Sequence, residues 1–192
     1  MSFNQYTVQL QSLLNNLVIT DKQGNVLTID EGFDRTITAI NRIKSSEKKV
    51  MIIGNGGSAA IASHLQNDLC KAVRIRAMVF TEPPLLTALS NDICYAAAYQ
   101  ELVRLWADKG DILFSISSSG RSQNIIDAVR AAWETECSLV ITLSGFSPDN
   151  SLRKMGDINF YVSSNEYGYV ELIHSILAHY ISDMTGNKSN KP

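Results

Sequence analysis

The sequence predicts an α/β fold, a doubly wound five-stranded parallel sheet sandwiched by helices. Two observations carry this reading. Five short apolar runs, VMIIG (50–54), AMVF (77–80), ILFSI (112–116), LVITL (139–143) and INFYV (158–162), lack the alternation of a half-exposed strand. Each therefore reads as a strand buried on both faces. Helical patterns separate them at 58–72, 85–107, 123–135 and 149–155, and a last one covers 168–184. Strand–helix alternation of this kind makes a parallel sheet with right-handed crossovers.

Two N-terminal helices, over 4–17 and 31–45, precede the first strand. Between them VITDKQGNVLTI reads as two strands around a Gln-Gly-Asn turn, a small β-hairpin. The helix at 4–17 sets Tyr6, Leu10, Leu13, Leu14 and Leu17 on one stripe. An appendage outside the sheet should not expose that much apolar surface, so residues 1–46 are expected to pack between subunits. The polar tail, 186–192, is expected to be disordered. Residues 1–192 suffice for one domain with a full core.

Composition narrows the function classes. The chain is 45% hydrophobic with a net charge of −2, which gives no electrostatic reason to expect nucleic acid. No run approaches the roughly 20 apolar residues of a membrane span, and the N-terminus lacks the pattern of a signal peptide. Cys70, Cys94 and Cys137 make an odd count without C-x-x-C spacing, as expected of free thiols in a reducing compartment. A cytoplasmic location is expected.

In such a fold ligands sit at the carboxyl ends of strands, where helices begin. Two of these loops are unusual. GNGGSAA (54–60) follows the first central strand. Its Gly56 and Gly57 allow close backbone approach, and the helix opening near Ser58 presents free N–H groups and a positive dipole end. SSSGRS (117–122) places Ser117, Ser118, Ser119 and Ser122 around another helix start. Together these donors describe a cradle for a phosphate monoester; capping alone would need one serine. Gly54, Gly56 and Ala59 also fit a loose dinucleotide fingerprint. The acidic residue expected about 20 positions on is missing, however, because Glu82 comes late and precedes Pro-Pro.

The segments GNGGSAAIASHLQNDL (54–69), ALSND (88–92), GDILFSISSSGRSQNI (110–125) and VELIHSILAHYISD (170–183) resemble the sugar isomerase (SIS) domain family, whose fold is flavodoxin-like. Within it they are most similar to the phosphoheptose isomerases. The resemblance implies a homotetramer with active sites at subunit interfaces. It also implies interconversion of sedoheptulose 7-phosphate and D-glycero-D-manno-heptose 7-phosphate, for bacterial surface-polysaccharide heptose. By the same resemblance Asp68 and His179 are the proton-exchanging pair, and Asn55, Ser58, Asn91, Asp92 and Glu171 contact the sugar phosphate. The spacing agrees in part. His64 and Asp68 are four apart, on one helix face. His174 and His179 are five apart, about 140° around a helix, so His174 is expected in a core or interface.

The chain departs from the family pattern in three places. Asp68 stands for a glutamate, Glu171 for a glutamine, and Ala72, beside Lys71, for an arginine. These changes bear on substrate identity more than on reaction type. Some relatives bind zinc at positions matching His64, Asp68, Glu171 and His179, all of them good zinc ligands here. Zinc is therefore the expected cofactor, with no organic one. The alternative function is a non-catalytic SIS-domain protein that associates with a replication initiator or senses a sugar phosphate. Retention of Asp68 and His179 argues for the enzyme.

Overall fold

The computed structural model describes residues 1–187. Each expected strand forms: β3 (Val50–Gly54), β4 (Ala77–Val79), β5 (Ile112–Ser117), β6 (Leu139–Ser144) and β7 (Ile158–Tyr161). β3, β5 and β7 are buried at every position, which explains their unbroken apolar runs. The hairpin, β1 (Val18–Asp21) and β2 (Val26–Leu27), is no appendage. β1 pairs antiparallel with β7, Ile19 opposite Phe160, so the sheet has seven strands in the order β2-β1-β7-β6-β5-β3-β4. The expectation of five strands is corrected by this addition. The five central strands are parallel, as expected.

The helices cover both faces of the sheet. α1 (Phe3–Asn15), α2 (Ile29–Ile43), α3 (Gly57–Asp68) and α7 (Tyr167–Asn187) pack on one face, α5 (Ala98–Trp106) and α6 (Gln123–Glu134) on the other. Capping boxes start the first two: Ser2 with Gln5, and Thr28 with Glu31. The single helix expected over 85–107 is two, α4 (Pro83–Asp92) and α5. The chain leaves helical geometry at Ile93 (φ −117°, ψ −84°). The helix expected at 149–155 shrinks to a 3-10 turn, Leu152–Lys154. The stripe on α1 faces inward. Leu13 and Leu17 are buried in the subunit's own core, Leu10 and Leu14 pack at its edge, and Tyr6 stacks on Tyr169 with ring centroids 4.5 Å apart. α7 thus covers the surface expected to seek a partner. α7 also reaches Asn187, two residues into the expected tail; residues 188–192 lie outside the described residues.

The strand order reverses between β3 and β5. From β3 the chain moves out to β4, then returns to β5 on the other side. The loops leaving β3 and β5 therefore diverge over one crevice, where such folds bind ligands. At the opposite end the buried Lys49 ammonium bonds Asp111 (2.6 Å) and Asp108 (2.8 Å), pinning the starts of these strands.

Candidate active site

Backbone demands explain the glycines in the two loops. Gly56 has φ +54°, and a Cβ at Gly54 would lie 2.6 Å from the Ser58 carbonyl oxygen. Gly120 has φ +63°, and a Cβ there would lie 1.9 Å from Asn150 Oδ1. Asn150 is buried and donates to the carbonyl oxygens of Gly145 (3.0 Å) and Ser147 (2.9 Å). It closes the loop after β6 on itself and packs that loop against Gly120 of the serine loop, a contact with no local mark in the sequence.

The loops enclose a cleft of about 230 Å³. Its lining comprises Asn55, Gly56, Gly57, Ser58, Ser117, Ser118, Ser119, Ser122 and Glu171, all expected, and Tyr167, which was not. Lining residues come from the first turns of α3 and α7 and from Ser122, just before α6, so three positive helix ends converge on it. Ser122 holds the N-cap position of α6, yet its hydroxyl makes no capping bond. Ser117 Oγ donates to it at 3.3 Å. Ser118 Oγ is buried without a partner. These hydroxyls do not serve the helix. Among the described residues lining the cleft, Glu171 is the sole charged side chain.

A second cluster lies further along α3 and α7, which pack together. Asp68 Oδ2 is 3.5 Å from His64 Nε2 and 3.4 Å from His179 Nδ1. The two imidazole rings meet edge to face, with centroids 4.6 Å apart. Asp68 is largely covered, whereas both histidines are about half exposed. Ser182 Oγ, also unanticipated, lies 3.5 Å from Asp68 Oδ2. Ligands about 2.1 Å from a tetrahedral zinc lie about 3.4 Å from one another. Three atoms of His64, Asp68 and His179 lie within 4.8 Å of each other, so this donor set fits zinc with one coordination position open.

Glu171 does not join this cluster. Its carboxylate packs on Gly57, where a Cβ would lie 2.5 Å from Oε1. Eight residues carry it about 12 Å along α7 from His179, so the expected four-ligand set is reduced to three. Asn91 and Asp92 are exposed at the end of α4 and hydrogen-bond each other (2.9 Å) without lining the cleft. His174 is fully buried, as expected of a core residue, with Nε2 3.3 Å from the Ser144 carbonyl oxygen and Nδ1 unpartnered. Burial pushes its pKa down to about 4.

The doubly wound sheet with its glycine and serine loops at the reversal point defines a sugar isomerase type of domain, and the model of the SIS domain family matches residues 18–145. The phosphoheptose isomerase of Aliarcobacter butzleri is 31% identical over 156 residues, 78% of this chain and 81% of that one. That of Helicobacter hepaticus is 32% identical over 142 residues, 71% of each chain. The structure of phosphoheptose isomerase GmhA from Neisseria gonorrhoeae superposes with a TM-score of 0.81 at 25% identity, covering 94% of each chain. The chain belongs to the SIS domain family and, within it, to the phosphoheptose isomerases.

Proposed function

We propose that the protein interconverts sedoheptulose 7-phosphate and D-glycero-D-manno-heptose 7-phosphate by proton transfer through an enediol. The observation that carries this reading is the Asp68–His179 pair, 3.4 Å apart, set along α7 from the hydroxyl-rich cleft. The phosphate lies in the cleft and the carbonyl end lies beside the pair. The separation of about 12 Å along the helix suits a long phosphorylated chain better than a triose phosphate. One member of the pair removes the proton from the carbon next to the carbonyl. The other returns a proton to the neighbouring carbon, so the carbonyl and hydroxyl exchange places and no electrons leave the substrate.

His64, Asp68 and His179 would hold zinc, which when bound would polarise the substrate carbonyl. The metal-bound nitrogen of His179 could then take up no proton, and the second carboxylate oxygen of Asp68 would be left as the base. The protein acts as a homotetramer with its sites at subunit interfaces, in the cytoplasm. Support comes from Leu172, Ile176 and Tyr180, which leave an apolar face of α7 exposed beside His179, and from exposed Phe3 and Val8 on α1. No described helix is long and apolar enough to cross a membrane.

The test is incubation with sedoheptulose 7-phosphate, with formation of the aldose followed by NMR. Asp68→Asn and His179→Ala should each abolish turnover while phosphate affinity survives, since other loops hold the phosphate. Metal content measured beside rate reads the zinc assignment separately: both variants should lose metal. Full activity in Asp68→Asn ends the proposed mechanism, and a monomer in light scattering ends the shared-site assembly.

A further inference from the structure

The loops after β3 and β5 are joined by two side-chain amides. Asn124, in the first turn of α6, is buried. Its Nδ2 donates to Asn55 Oδ1 at 2.9 Å, and Asn55 Nδ2 donates back to Asn124 Oδ1 at 2.9 Å. Such a pair alone has no polarity, because both amides could turn over together and exchange roles. The backbone removes that freedom. The Ile125 N–H, shared with the Ser122 carbonyl oxygen (3.1 Å), donates to Asn124 Oδ1 at 3.1 Å. A backbone N–H can only donate, so an NH₂ turned to this position would face another donor. Asn124 must therefore keep its oxygen towards Ile125, which leaves its NH₂ facing Asn55. Tyr95, from the irregular segment between α4 and α5, adds its hydroxyl to the same Asn55 Oδ1 at 2.8 Å.

Asn55 Oδ1 thus accepts two hydrogen bonds, its full capacity, while Nδ2 keeps one proton unspent. Asn55 lines the cleft. We infer that Asn124 and Tyr95 are positioning residues that hold the Asn55 amide with its N–H towards the bound phosphate. This rests on the reading of the cleft as a phosphate cradle. Orientation matters there because no lysine or arginine is among the described lining residues. An overturned amide would aim a carbonyl dipole at a dianion in place of a donor. The lock also explains why Tyr95 reaches across from the α4–α5 connection, far in sequence from either phosphate loop.

The test is a double-mutant cycle on the full chain, with inorganic phosphate as the probe and calorimetry as the readout. Tyr95→Phe and Asn124→Ala should each weaken phosphate about five- to tenfold, as loss of one directed hydrogen bond does. In the Asn55→Ala background neither should add more than about twofold, because both act through Asn55. In kinetics the rise in KM should exceed the fall in kcat. Asn124 is buried and its removal could damage the fold; Tyr95 is half exposed, so Tyr95→Phe keeps the test clean. Parent-like phosphate affinity in Tyr95→Phe, or effects that persist undiminished without Asn55, overturn the inference. A parent that binds no phosphate overturns it together with the proposed function. The expected cycle in a protein that isomerises no heptose phosphate sinks the proposed function and leaves the lock standing.

Discussion

His174 makes the fold acid-sensitive by a calculable amount. Its imidazole is completely buried on α7, and burial lowers its pKa from 6.5 to about 4. A depressed histidine pKa means that the unfolded chain takes up a proton more readily than the folded one. Stability is therefore unaffected above pH 6.5 and falls as the pH drops from there to about 4. With these two values the loss is about 2 kcal/mol at pH 5 and about 3 kcal/mol at pH 4. Against a total stability of roughly 5–15 kcal/mol that is a large fraction. The assay is urea unfolding of the parent and His174→Leu at a series of pH values. Other groups titrate in both proteins, so the difference between them isolates His174. The gap should be flat above pH 7 and change by about 3 kcal/mol towards pH 4, with the parent losing more. Parallel curves would refute the reasoning, and would mean that the imidazole is hydrated in the folded protein.

Ser119→Ala and Ser122→Ala should each weaken phosphate binding by about 1–3 kcal/mol with little change in melting temperature. Early melting with normal binding, read by calorimetry on the same samples, would return these serines to a structural role. Gly120→Ala should destabilise by about 2–4 kcal/mol, because it combines a positive φ with a Cβ 1.9 Å from Asn150 Oδ1. Chemical denaturation checks this, and a parent-like midpoint would show that the serine loop has room to shift.

The sequence displays what depends on burial and local backbone geometry, and hides what depends on which neighbour is opposite. The central strands were legible because burial on both faces leaves a continuous apolar run. The hairpin was legible as a local turn, but its pairing with β7 spans about 140 residues and leaves no local mark. The helix break at Ile93 was invisible because DICYAAAY contains neither glycine nor proline. The cleft serines and glycines could be read as a pattern, and His64 with Asp68 from their four-residue spacing. Glu171 was grouped with the metal ligands because some relatives bind zinc at the matching positions; Gly57, lacking a Cβ, is what lets the carboxylate settle elsewhere in this chain. Asn124 and Tyr95 looked like ordinary polar residues, since their bonds reach across 69 and 40 positions.

The hairpin's place in the sheet bears on how the protein behaves when crowded. The outermost strands are β2, two residues long, and β4, three residues long, too short to template a strand from another molecule. The strand that the β1–β2 hairpin covers is different: β7 carries Phe160 and Tyr161 on a fully buried ribbon. Removing residues 1–28 would bare its N–H and C=O groups beside those aromatic rings. A chain shortened in this way should self-associate edge to edge at concentrations where the full chain stays in solution. The hairpin is thus a stopper against sheet growth, and its contribution would go unseen in any assay of the cleft.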